Sequence, residues 1–208
     1  MEETAAILVK ANYTGNCFSG EKGTVEFYRN LPAHRYKLIV LGVHSSATSP
    51  SMTKTLATLF TSECYELRKY VNEQLVEQIM MVGYSKEDAE KGITYFGIRP
   101  SFVSKSMRGK FEQTTVIMMG HEGLTNPLMA ISFIEKGAKV YIGWNASISA
   151  SHIDTATTQL LKHLVNEKQT IEQAVEKTMQ DVGPDPASKS VLEYYPLEAR
   201  DRTIESKG

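Results

Sequence analysis

The sequence predicts an α/β fold in which a mostly parallel central sheet is sandwiched between helices on both faces, three layers in all, and three observations carry that reading. Three short runs are apolar almost throughout, Lys37–Val43, Thr114–Met119 and Ala138–Trp144, as strands covered on both faces must be. The second and third are joined by a helix-like segment, so Val116–Trp144 has the strand, helix, strand length of a parallel crossover. Two amphipathic helices then follow, with capping signals at Ser151-His152-Ile153-Asp154 and Thr170-Ile171-Glu172-Gln173.

Taken in order, Thr4–Ala11 reads as a first strand, Asn12–Gly23 as a turn-rich connection and Thr24–Tyr28 as another short strand. After the strong run at Lys37–Val43, Ser62 is placed to cap a helix over Glu63–Val82, with Leu67, Val71, Leu75, Ile79 and Val82 on one stripe. Ser85-Lys86-Glu87-Asp88 opens a very short helix closed by Gly92. Ile93–Ile98 reads as an edge strand, and Ser101–Lys110 as a polar, mobile segment that overhangs a site. Pro127–Lys136 is a helix with proline in its first turn and Gly137 after its end. The late helices carry inward stripes of Ile153, Ala156, Leu160, Leu161 and Leu164, and of Ala174, Val175, Met179 and Val182. Gly183-Pro184-Asp185-Pro186 stops the second, and beyond Leu192–Leu197 a charged tail is expected to fray.

The 208 residues suit a single domain with a substantial core, and a composition 41% hydrophobic with a net charge of -1 is ordinary for a globular chain. Neither nucleic acid nor a membrane surface is expected as a partner, because neither a basic surplus nor a clustered basic face is present. No apolar stretch approaches membrane-spanning length, and no signal peptide is read at the start. Cys17 and Cys64 form neither a CxxC pair nor a secreted framework, so a reducing, cytoplasmic setting is expected.

Chemistry concentrates at two strand ends. His44 and His121 each follow a central apolar run, and open parallel sheets bind ligands outside the carboxyl ends of their strands. A histidine there serves as a general base, a metal ligand or a hydrogen-bonded loop residue. No Gly-x-Ser-x-Gly elbow, Walker lysine or dinucleotide fingerprint is present. A metal site would have to draw on His44, His121, Glu122 and either His152 or Asp154, without tight ligand spacing. Trp144 is placed to wall a pocket or to cover the core rim, and Asp154 to orient a cationic group or to cap a helix N-terminus.

Tyr36–Ser45 and Thr115–Leu124 resemble the two catalytic strand ends of the caspase-like cysteine peptidases, the group of caspases, clostripain and gingipains. Phe133–Trp144 is similar to the helix and next strand of that group, and Asp154-Thr155-Ala156 to the start of its long amphipathic helix. The likeness is greatest to prokaryotic, archaeal-type members and covers Thr24 to Val182. It implies a three-layer caspase-like sandwich, one domain over 1–208 with a shortened or atypical first βα unit. It also implies a peptide or protein partner and no cofactor. His44 matches the histidine that activates the nucleophile, while Ser45 and Gly120 fall in the oxyanion region and Glu122, Trp144 and Asp154 around the cleft. At the nucleophile position stands His121 where the family has cysteine, and two facing imidazoles do not reproduce a thiolate beside a proton acceptor. The implied reading is a catalytically disabled peptidase homologue, natural or nucleophile-substituted; whether the chain is an enzyme turns on this one position. The alternatives are an active hydrolase with a non-standard or metal-assisted site, and a structural or oligomeric protein-binding module. A shortened first unit would leave a sheet edge open to self-association.

Overall fold

The three apolar runs form β1 (Leu38–Leu41), β6 (Thr115–Met118) and β7 (Val140–Trp144) in the computed structural model, which describes residues 2–46 and 56–204. They pair in parallel, β1 with β6 and β6 with β7, and β8 (Leu192–Tyr195) adds antiparallel to β7. Successive residues alternate between two cores. Ile39, Leu41, Val116, Met118 and Tyr141 face one, and Ile117, Val140, Ile142 and Trp144 face the other. Because both faces are covered, every position must be apolar, which is why these runs were visible in the sequence.

The first core is closed by helices α2 (Val25–Asn30), α5 (Pro100–Ser106) and α6 (Leu128–Glu135). The second is closed by α7 (Ala150–Leu161) and α8 (Ile171–Val182), with α1 (Glu2–Lys10) contributing Ile7 and Leu8. The architecture is therefore a three-layer α/β sandwich, as expected. Thr170 and Gln173 form the reciprocal capping box at α8, and Gly183 follows its last turn.

A second sheet, entirely antiparallel, runs in the order β2 (Ser45–Ser46), β3 (Thr58–Cys64), β5 (Tyr95–Ile98) and β4 (Ile79–Val82). Its inner face adds Leu59, Ile79, Phe96 and Ile98 to the first core. Between its strands lie α3 (Val71–Leu75) and α4 (Lys86–Glu90), the latter opened by Ser85, whose Oγ accepts the Asp88 N–H at 3.0 Å.

Several expectations are corrected. Thr4–Ala11 is helix α1, not a strand, since Ile7, Leu8 and Ala11 share a helical face that packs on the second core. Thr24–Tyr28 is helical too: Thr24 Oγ1 accepts the Phe27 N–H at 3.1 Å and caps α2. The stripe over Glu63–Val82 is not one helix. Tyr70 and Glu77 both adopt positive φ, which interrupts it, and Leu67 and Leu75 are 75% and 77% exposed while Ile79 and Val82 belong to a strand. The exposed Cys64 accordingly ends a strand rather than starting a helix.

The strand at Tyr95–Ile98 is interior to its sheet, flanked by β3 and β4, not an edge. Ser101–Lys110 is largely α5 and its cap, anchored by buried Phe102, Val103 and Met107, and does not overhang the site as a mobile loop. The cap of α7 is Ser149 rather than Ser151, which puts Asp154 in the second turn. After Leu197 the chain stays tied down through residue 204: Ala199 and Ile204 are buried, and the Tyr13 hydroxyl donates to the Ile204 carbonyl at 3.2 Å. Residues 205–208 lie outside the described residues. Among the described residues no helix is long and apolar enough to cross a membrane.

Candidate functional site

Parallel pairing of β1 with β6 places their carboxyl ends side by side, and the ladder extends one bond further, Met119 N–H donating to the Leu41 carbonyl at 3.0 Å. The chain leaves β1 through Gly42 and Val43 to His44, and leaves β6 through Met119 and Gly120 to His121. The two imidazoles meet, with ring centroids 5.2 Å apart and planes at 68°. Gly120 makes this approach possible: a Cβ there would lie 2.3 Å from the Val43 carbonyl oxygen and 2.7 Å from Ser45 Oγ. Buried Ser45 braces the same junction by donating its hydroxyl to the His121 carbonyl.

His44 packs edge-on against Phe60 with centroids 4.7 Å apart, and 5.6 Å from the ring of Tyr84. This setting lowers its pKa below the ordinary imidazole value. Burial is the largest cause and repulsion by a protonated His121 the second, while the Glu122 carboxylate pulls the other way. His44 is thus favoured as a neutral ring that can accept a proton.

His121 is held from the opposite side. Its Nδ1 accepts the Ile148 N–H at 3.2 Å. An acceptor Nδ1 has its lone pair occupied, so in the neutral ring the proton resides on Nε2. Neither nitrogen then offers a free lone pair to an electrophile. Glu122 turns sharply away from the strand with φ 57°, its N–H bonded to the Ala146 carbonyl at 3.0 Å and its carboxylate accepting the Ser147 hydroxyl at 3.1 Å.

The loop that supplies Ile148 is itself fixed by Asp185, which no sequence pattern had singled out. This buried carboxylate accepts from the N–H and hydroxyl of Ser149 at 2.9 and 2.8 Å and from the N–H groups of Ala187 and Ser188 at 3.0 and 2.9 Å. Those hydrogen bonds, the Ser149 amide first, hold its pKa far below the usual aspartate range.

Beside His44 opens a cavity of about 500 Å³, walled by Phe60, Met80, Val82 and Tyr84 and rimmed by Lys86. A smaller depression of about 300 Å³ lies between the end of α1 and the turn after α7 and contains none of the strand-end residues.

Of the expected site residues, His44, Ser45, Gly120, His121 and Glu122 come together. Two do not. Trp144 is fully buried in the second core, against the ring of His152 at 5.7 Å, and is not among the residues lining the 500 Å³ cavity. Asp154 is exposed on α7, past the first turn, so it neither caps that helix nor joins the cavity. His152 is engaged by the Gly183 carbonyl at 3.0 Å. Among the described residues no three His, Cys, Asp or Glu side chains gather in a metal-holding group. Phe60 and Tyr84 were missed in the sequence, although the alternation of Thr58-Leu59-Phe60-Thr61 is a strand signal for the first of them.

Fold and site together define an α/β sandwich with paired imidazoles at adjacent parallel strand ends, beside a cavity on the antiparallel sheet lined by both apolar and polar side chains. No protein-family model and no curated protein matches this chain.

Proposed function

We propose that this chain is a caspase-like cysteine peptidase homologue disabled at its nucleophile, retaining a cleft that binds peptide or protein segments. The supporting observation is the engagement of His121: its Nδ1 lone pair is taken by the Ile148 N–H, while His44, in the position of the activating base, faces it at 5.2 Å. The site keeps a proton acceptor and lacks a nucleophile. With a thiol at position 121, the proton would pass to His44 and the sulfur would attack a peptide carbonyl. The leaving amine would take the proton back, and water would release the acyl group. The metal-assisted alternative finds no group of three His, Cys, Asp or Glu side chains among the described residues to hold an ion.

Covalent capture by thiol-directed peptide probes tests this in His121→Cys and in His121→Cys with His44→Ala. Capture in the single variant, lost in the double, is the expected result. A folded His121→Cys protein whose new thiol reacts with iodoacetamide but with no peptide probe would overturn the reading.

A further inference from the structure

The cavity beside His44 is built on one face of the antiparallel sheet. Phe60, Gly97 and Met80 lie in one row across β3, β5 and β4, since Phe60 and Met80 both pair with Gly97. Thr58 and Val82 sit two residues along on the same face. The centre of the row has no side chain: a Cβ on Gly97 would come within 2.6 Å of both Thr58 Cγ2 and Val82 Cγ1. Those two methyl groups cover Gly97, and the cavity opens beside them, where Phe60, Met80 and Tyr84 present aromatic or thioether surfaces. Among the described residues Lys86 is the one Lys, Arg, Asp or Glu side chain that lines the cavity, and it lies at the rim.

The strand beside this cavity also offers backbone groups. Arg99 N–H donates to the Gln78 carbonyl at 3.0 Å, which sets the phase of the antiparallel ladder. Met80 and Val82 then bond to β5, while Met81 turns its N–H and C=O outward. The residue opposite Met81 agrees with that phase, because the Phe96 carbonyl points the other way and accepts the Thr61 hydroxyl at 2.8 Å. Among the described residues β4 has no neighbour on that outer edge.

We infer that the outer edge of β4 pairs with an extended peptide, and that the cavity walled by Phe60, Met80 and Tyr84 takes one apolar side chain of it beside His44. The inference rests on the peptide-binding reading above and names its occupant. The edge supplies main-chain hydrogen bonds and the adjoining cavity supplies side-chain selectivity, the two components of strand addition. The Phe60, Met80 and Val82 surfaces select an aliphatic or aromatic side chain and disfavour a charged one, because the ammonium of Lys86 stands exposed at the rim, where water screens it.

The test uses the His121→Cys protein and peptidyl acyloxymethyl ketones, in which the introduced thiolate displaces the carboxylate leaving group. The probes differ at one residue (Leu, Phe, Lys or Asp) or carry a methyl on one backbone amide. Leu and Phe probes are expected to be captured at least about tenfold faster than Asp and Lys probes, the discrimination an apolar pocket delivers. One N-methyl position is expected to slow capture about tenfold, as the loss of a hydrogen bond at a buried edge does. Met80→Lys, at a half-buried lining position, should invert the preference towards Asp. Capture without side-chain preference, or insensitivity to both Met80→Lys and N-methylation, would overturn the assignment of β4 and its cavity while leaving the peptide-binding reading in place. Alkylation by iodoacetamide with no capture of any peptide would instead remove that reading and this inference with it.

Discussion

The parallel sheet and the antiparallel sheet bury different numbers of faces, and their sequences differ accordingly. In β1, β6 and β7 both faces meet helices, so side chains at successive positions are apolar regardless of direction. In β3, β4 and β5 one face enters the first core while the other carries Thr58, Phe60, Met80 and Val82 around a cavity. The first kind of strand announces itself as an unbroken run. The second kind mixes small, polar and aromatic residues and is easily taken for something else. The half-covered sheet is also where the 500 Å³ cavity opens, so the segment hardest to read is the one nearest the candidate site.

The sharpest way to break this comparison is to truncate one large side chain in each sheet. Trp144→Ala removes a fully buried ring from the second core and is expected to cost about 3–5 kcal/mol of unfolding free energy. Met81→Ala, at a half-exposed position on the outer strand of the antiparallel sheet, is expected to change stability by no more than about 0.5 kcal/mol. Urea unfolding of the two variants measures both. Equal losses would mean that the two sheets are covered alike.

A smaller effect is expected at the junction of the two sheets. Gly120→Ala drives a methyl group into the Val43 carbonyl and the Ser45 hydroxyl, an overpacking that costs about 1–3 kcal/mol. Since those contacts set the approach of His44 to His121, the same change in a His121→Cys background should abolish capture of peptide probes. Full capture in a destabilised Gly120→Ala protein would show that the junction does not set the geometry of the pair.

The legibility of the sequence followed the same division. His44, His121, Ser45, Gly120 and Glu122 were reachable because they follow unbroken apolar runs, whose ends are easy to place. Helix α1 reads as a strand because the continuous apolar run Ala5–Val9 fits either period, and only packing against the second core decides. The stripe from Leu67 to Val82 has helical spacing, but the positive φ values at Tyr70 and Glu77 break it and Ile79–Val82 pairs with β5. Pairing across the chain overrode local spacing there. Ile148 could not be found at all, because it acts through its backbone N–H, which every residue but proline carries.

Asp185 lies on the side of the well-covered sheet, and the pH dependence it confers is confined to acid. Its carboxylate is held below the usual range by hydrogen bonds, so it stabilises the fold above the ordinary aspartate pKa of about 3.9 and loses that contribution as pH falls towards its lowered value. Asp185→Asn should therefore lower stability at neutral pH and flatten the acid limb of a stability-against-pH curve. Because Asp185 holds Ser149, next to Ile148, the ring of His121 should also gain mobility by NMR. An unchanged acid limb would remove Asp185 from the support of the site.

The smallest effect concerns His44, where the half-covered sheet meets the covered one. Burial against Phe60 and proximity to His121 lower its pKa, and Glu122 opposes them. Its NMR titration should have a midpoint below the ordinary imidazole value of about 6.5. His121→Gln should raise that midpoint by removing the like charge, and Glu122→Gln should lower it by removing the opposite one. The sign for stability follows from linkage. As pH falls through the ordinary imidazole range the unfolded chain takes up a proton before folded His44 does, so stability declines there and is unaffected well above it. His44→Gln should remove that slope. A midpoint at or above the ordinary value would mean that His44 is solvated like a surface ring. The wall of Phe60 and Tyr84 would then not shield it, and the cavity beside it would lose its claim to be a desolvated binding site.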